Sequence, residues 1–252
     1  MILTLARSGI LCYTTPMNII FVSEKANPIL LDYLALQGLV VTVGAIAKTD
    51  PAVSSHPDIC MCRIGDRLIM APAFLSAASA TEAGRTVIIR DPRFSVGDTS
   101  PYGAYPGDIP YNAACFGRFF MHSLKHTDPA VLQHAAEKSL TPINVRQGYT
   151  KCNTVIVDDS SIITSDRGIA LAAGRHGIDV LEIAPGHVRL DGHPCGFLGG
   201  ASVRIGSQVV FNGDLSRHPD FEAICGFIAL RGLQTLFFEE YTLEDIGSVI
   251  VL

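Results

Sequence analysis

The chain predicts an α/β fold, a five-fold pseudosymmetric α/β propeller of ββαβ units, on three observations. One pattern of strand, tight turn, strand, helix, strand is written four times in full. Its period, about 40–55 residues, belongs to repeat architectures. A fifth copy is split between the chain ends, which implies a ring closed by pairing the N- and C-terminal segments, because an open solenoid needs caps.

The elements follow in order. The N-terminal part of the split unit has Ile19–Val22, a helix near 27–37 and a strand at Val40–Val43. Unit one predicts a first strand over His56–Met61, a second at Leu68–Met70, an Ala-rich helix near 73–83 and a third strand at Thr86–Ile89. Unit two has Tyr111–Phe116, Phe119–Met121, a helix near 129–139 and Ile143–Val145. Unit three has Cys152–Val157, Ile162–Thr164, a helix near 166–176 and Val180–Ile183. Unit four has Gly200–Ile205, Val209–Phe211, a helix near 219–231 and Leu236–Phe238. The C-terminus then writes a lone first strand, Ile246–Val251.

Punctuation supports these limits. Asn27-Pro28, Asp128-Pro129 and His218-Pro219 place proline at a first helical position, where its missing N–H is no loss. Ser165 reads as an N-cap, and Gly84, Gly177 and Gly232 suit the left-handed residue that ends a helix. Gly65, Gly206 and the run 158–161 sit where hairpins must turn. Two connections, 91–110 and 184–198, are long and irregular, and read equally as functional lids or as proline-held surface loops.

Composition bounds the function. The 252 residues are 48% hydrophobic and 17% charged, with a net charge of −5, so a large core is available and no basic footprint for nucleic acid exists. Residues 17–252 are expected to form one domain, with 1–16 as an extension too short and broken in its apolar run for a signal peptide or a membrane span. Seven cysteines without a paired framework fit reduced thiols and a cytoplasmic protein.

Aligning the units on their first strands exposes a position whose chemistry differs in every copy. It holds His56-Pro57-Asp58, Tyr111-Asn112, Lys151-Cys152, Gly199-Gly200 and Glu244-Asp245. In a ring these positions meet at the axis. Cys152 is the candidate nucleophile, with Lys151 expected to lower its pKa. His56 is the candidate general acid/base, and Asp58 orients it or grips a cationic group. Read blandly, the same residues are a buried thiol, a loop histidine and a strand-edge carboxylate. Cys60 and Cys62 are expected to alternate along a strand as core fillers. His187, His193 and Cys195 match no metal pattern, and neither a metal nor a cofactor is implied.

Five ββαβ units of this kind resemble the pentein fold of the guanidino-group modifying enzymes, which include arginine deiminase, agmatine deiminase and dimethylarginine dimethylaminohydrolase. Anti-association translation initiation factors share the fold without catalysis. His56–Met61 is similar to the family's His-x-Asp segment, Gly148–Thr154 to its nucleophilic-cysteine segment, and Glu244–Gly247 to its acidic-Gly segment. Gly148–Cys152, Ile163–Ala170 and Gly196–Ser202 resemble an uncharacterised bacterial family of this fold.

The resemblance implies catalytic Cys152, His56 and Asp58, with Asp245, Glu244, Asn112, Lys151, Gly199 and Gly200 facing a small-molecule substrate. It implies a cysteine-dependent, amidinotransferase-like hydrolase of a guanidino- or amidino-type C–N bond. A carboxylate expected in unit four is replaced by Gly199-Gly200-Ala201, where two glycines would let a substrate approach the backbone. The competing reading is a non-catalytic module that binds a small ligand or a protein. A homo-oligomer stays open under both.

Overall fold

The computed structural model describes residues 18–78 and 91–252. Five three-stranded sheets carry the architecture, and each repeats one topology. A central strand pairs antiparallel with the strand before it and parallel with the strand that follows a helical crossover. In unit one these are β3 (Met61–Ile64), β4 (Arg67–Met70) and β5 (Phe94–Val96), with α3 (Pro72–Ala78) after β4. Unit two has β6 (Ala114–Phe116), β7 (Phe119–His122), α4 (Pro129–Glu137) and β8 (Thr141–Asn144). Unit three has β9 (Thr154–Ile156), β10 (Ser161–Thr164), α5 (Arg167–Gly174) and β11 (Asp179–Glu182). Unit four has β12 (Ser202–Ile205), β13 (Gln208–Phe211), α6 (Phe221–Ala229) and β14 (Gln234–Leu236).

The fifth sheet is assembled from both ends of the chain. Strand β1 (Ile19–Ser23) pairs parallel with β2 (Leu39–Val43) across α1 (Pro28–Ala35), and antiparallel with β15 (Ile250–Val251), Ile20 facing Val251. The split unit therefore has the topology of the other four.

Buried apolar side chains link each sheet to the next. One cluster joins Phe21 and Ile250 to Ile69 and then to Phe120 and Val131. Met121 and Ile143 pack with Ile162 and Ile169, and Val155 and Ile163 with Phe211 and Ile224. Ile205 and Val210 pack with Ile20 and Leu30. Each fully buried Phe or Ile contributes about 1.5–3 kcal/mol through removal of apolar surface from water. A cavity of about 700 Å³ touches the first strand of every sheet, at Met61, Cys115, Ile156, Val203 and Ile250. Asp58 and Lys151 line it too.

Several boundaries differ from the sequence reading. The first strands begin late, because the residues before them turn across the sheet ends. In unit one Pro57–Cys60 form a single helical turn, α2, so Cys60 ends a helix while Cys62 lies in β3; the two do not alternate along one strand. The third strand of unit one is Phe94–Val96, inside the connection read as a loop, whereas the expected strand 86–89, the end of its helix and Gly84 lie outside the described residues, as do 1–16. Asp166, not Ser165, caps α5 by accepting from Ile169 N–H. Helix α6 starts at Phe221 behind Asp220, because His218-Pro219 follow a separate 3-10 turn, Leu215–Arg217. Pro28 and Pro129 open α1 and α4 as expected, behind Asn27 and Asp128 as caps, and Gly177 and Gly232 have φ of 76° and 69°.

Candidate active site

Four short segments that precede first strands converge on one buried spot. Pro57 fixes the backbone at the start of α2, leaving His56 at its N-cap with a side chain that makes no capping bond. Asp58 follows in the same turn and is tied across the chain by its N–H to Gly247 O at 3.2 Å. Cys152 lies in the turn before β9, held where Gly200 N–H donates to Cys152 O at 2.7 Å. Asp245 precedes β15 and is fixed by Gly247 N–H and Phe197 N–H, each donating to its carboxylate at 2.9 Å. Gly247 has φ of 73°, and a Cβ there would strike His56, so the turn demands glycine twice over.

The side chains then meet. One side-chain nitrogen of His56, the sulfur of Cys152 and one carboxylate oxygen of Asp245 all lie within 4.8 Å of one another, and each residue is at most 3% exposed. The Cys152 thiol donates to Asp58 Oδ2 at 2.9 Å, and Asn112 Nδ2 donates to Cys152 Sγ at 3.1 Å. His56 Nδ1 is 3.8 Å from Asp245 Oδ1, too far for a hydrogen bond. Both His56 Nδ1 and Asp58 Oδ1 are buried without a partner. Each such atom costs about 1–3 kcal/mol, and sites that carry the cost are commonly functional.

Burial dominates the electrostatics. It lowers His56 to about 4, with Asp58 pulling the other way, so the imidazole is neutral near pH 7 and its contact with Asp245 is no ion pair. It raises Asp245 to about 6 against the two N–H donors, and raises Asp58 as well. The Cys152 thiol is pushed well above its ordinary value by burial, then by the charges of Asp58 and Asp245. This corrects the expectation that Lys151 activates it. The Lys151 ammonium instead donates to Ser248 Oγ at 2.9 Å and Gly199 O at 3.4 Å, and burial lowers its own pKa. At rest the sulfur is a protonated thiol.

A family model described as "Family of unknown function (DUF6873)" matches residues 21–250. The chain belongs to this family. No curated protein matches the sequence. Among solved structures, the chain is similar to DDAH from Pseudomonas aeruginosa, in complex with citrulline, at a TM-score of 0.56 and 9% identity over 94% of this chain and 99% of that one. It is similar to an agmatine deiminase of C. jejuni at 0.52 and 9%, covering 93% of each chain. It is also similar to an inosamine-phosphate amidinotransferase of Streptomyces griseus at 0.51 and 13%, over 87% of this chain and 75% of that one. This member of the DUF6873 family thus shares its fold with pentein-type guanidino-modifying enzymes.

The remaining expected residues fall as follows in the DUF6873 chain. Asn112 is fully buried and spends its amide on the cysteine turn, its Oδ1 accepting from Lys151 N–H at 2.7 Å and Cys152 N–H at 3.1 Å. Gly199 and Gly200 face protein, not open space: a Cβ on Gly199 would meet the backbone of Cys152 and Thr154, and one on Gly200 the Asp245 carboxylate. Glu244 is half-buried and lines a cavity of about 140 Å³ with His56, Asp245, Ser23 and Lys25. His187, His193 and Cys195 do not gather: His193 bonds Asp50 at 3.2 Å, and the His187 ring rests on His218. The donor set of His56, Cys152 and Asp245 is the one group among the described residues that could hold a metal ion. Among the described residues no helix is long and apolar enough to cross a membrane.

Ser248 was not legible in the sequence. Its hydroxyl lies 2.8 Å from Asp58 Oδ2 and 3.0 Å from Gly199 O, at a φ of 65° that a non-glycine residue rarely adopts. The Gly247-Ser248 pair after an acidic residue is the local signal that could have found it.

Proposed function

We propose that the chain is a cysteine-dependent hydrolase of a guanidino- or amidino-type C–N bond, working through a covalent thiol adduct. The observation that carries the reading is the buried approach of Cys152, His56 and Asp245, with His56 Nδ1 and Asp58 Oδ1 left unpartnered. The five sheets are read as one closed five-fold propeller over residues 17–252, which the β15–β1 pairing and the cavity shared by all five first strands support.

The resting thiol is inert, so the substrate must activate it. A planar cation beside Asp58 and Asp245 would satisfy the unpartnered oxygen through charge-assisted hydrogen bonds. Its charge, about 4 Å from sulfur at an effective dielectric of about 20, favours the thiolate by about 4 kcal/mol. That is about three pK units. The thiol proton passes to the neutral imidazole of His56, and Sγ bonds to the central carbon as a C=N electron pair moves to nitrogen. His56 then gives its proton to the departing amine and the C–N bond breaks, leaving the carbon on sulfur. Water, losing a proton to His56, attacks that carbon; the C–S bond breaks and the thiol is restored. Asp245 stabilises the imidazolium of each step.

Small guanidines, amidines and ureido compounds, screened for ammonia or amine release, test this. Release that disappears in Cys152→Ser and falls at least a hundredfold in His56→Ala is expected. Release that survives Cys152→Ser contradicts the thiol adduct. No release from any compound favours a binding module, a reading that the raised thiol pKa and the glycines of unit four support.

A further inference from the structure

We propose that Asp108 is a specificity-determining residue that binds a second cationic group of the substrate, tethered to the reacting amidine carbon. The inference rests on the reading of Cys152 as nucleophile. Asp108 lies in the 97–113 segment and is fully buried. Tyr149 Oη donates to its Oδ2 at 2.5 Å, while Oδ1 has no partner. Burial, reinforced by Asp108 itself, raises the pKa of the Tyr149 hydroxyl, so it stays protonated beside the carboxylate. Among the described residues no lysine or arginine pairs with Asp108, so the unmet oxygen calls for a cation or a donor from outside the chain.

The surroundings fit a cation. Three rings form a row: Tyr105 and Tyr149 have centroids 5.8 Å apart, and Tyr149 and Phe197 6.3 Å. The inner end adjoins the reacting centre, because Phe197 N–H holds Asp245. The outer end opens to water, because Tyr105 is 50% exposed. Aromatic faces attract ammonium and guanidinium groups, so the row favours a positive charge beside Asp108. Asp108 stands beside its middle ring.

The geometry also ties Asp108 to the thiol. Tyr149 and Cys152 share one turn, closed by Asn153 N–H on Tyr149 O at 3.0 Å. The segment after Asp108 is bonded to that turn by Lys151 N–H on Asn112 O at 3.1 Å. His193 bonds Asp50 at 3.2 Å, and both act electrostatically on Asp108. A substrate carboxylate would meet Asp108 unfavourably, so the class selected is an amidine or guanidine whose tail ends in a cation.

N-substituted 2-chloroacetamidines test this by alkylating Cys152. Two series share tethers of two to five methylenes, one ending in an ammonium and the other in a methyl group, with rates read by site-resolved mass spectrometry. For at least one length the ammonium reagent should react ten times faster than its methyl counterpart, and Asp108→Asn should bring that ratio to within twofold of one. Tyr149→Phe, which keeps the carboxylate and frees Oδ2, should preserve the ratio. A preference that survives Asp108→Asn, or no preference at any length, overturns the inference alone. A Cys152 that ignores every reagent overturns it together with the hydrolase reading.

Discussion

The Cys152 thiol donates a 2.9 Å hydrogen bond to Asp58 Oδ2 from 94 residues away in the chain. One carboxylate therefore holds the thiol in place and keeps it protonated. On the hydrolase reading, the thiol stays unreactive until a cation arrives to share the carboxylate.

Asp58→Asn separates these two effects. Both the hydrogen bond and the charge of Asp58 raise the thiol pKa. Removing the charge should increase alkylation of Cys152 by neutral iodoacetamide near pH 8, about tenfold for each pK unit lost. The cationic 2-chloroacetamidine should lose its advantage over iodoacetamide. Rates measured across pH 6–10 check both directions.

His56 gives a pH signature in stability. Its folded pKa of about 4 lies below the ordinary 6.5. The unfolded chain binds the proton more readily, so this contribution is present above pH 6.5 and is lost as pH falls toward 4. Asp245, raised to about 6, works oppositely between about pH 4 and 6, where falling pH relieves its buried charge. His56→Asn should remove only the first effect, so its stability relative to the parent should rise between pH 7 and pH 4. The gain reaches at most about 3 kcal/mol. Urea denaturation at the two pH values reads it.

Gly247→Ala tests how tightly the turn presses on the imidazole. A Cβ there meets His56, whereas at Gly206, also at positive φ, it meets nothing within 4 Å. Alanine at Gly206 should cost about 1–2 kcal/mol for the left-handed backbone alone. Gly247→Ala should cost at least 1 kcal/mol more, and should slow Cys152 alkylation by 2-chloroacetamidine.

Asp128 anchors the segment that carries Asp108. Its Oδ2 accepts from Asp98 N–H, Thr99 N–H, Thr99 Oγ1 and Tyr111 Oη, while Oδ1 caps α4 through Val131 N–H. Asp128→Ala should destabilise the fold by about 3 kcal/mol or more, since buried charge-assisted bonds and a cap go together. Limited proteolysis should then cut first within 97–110.

Much of this was legible because the repeat is local. Strand, turn and helix recur with apolar periodicity, and prolines 28 and 129 mark two helix starts directly. The meeting of His56 with Cys152 was legible only through the repeat, since equivalent positions converge when the units do. What escaped depends on tertiary contacts. Phe94–Val96 looks like loop among Asp91, Pro92 and Gly97, and becomes a strand by pairing with β4. The thiol pKa could not be read because Lys151 precedes Cys152 in sequence yet turns to Ser248, leaving burial and Asp58 to decide. Asp108 has no periodic signal at all; its importance comes from one oxygen without a partner.

The most direct measurement is site-resolved alkylation of all seven cysteines by 2-chloroacetamidine and by iodoacetamide at pH 7.5. The cationic reagent should modify Cys152 at least a hundredfold faster than buried Cys60 and Cys62, with an advantage over the neutral reagent that His56→Ala and Asp58→Asn both diminish. If Cys152 reacts no faster than Cys60 and Cys62, it is an ordinary buried thiol and the site is not a nucleophile's.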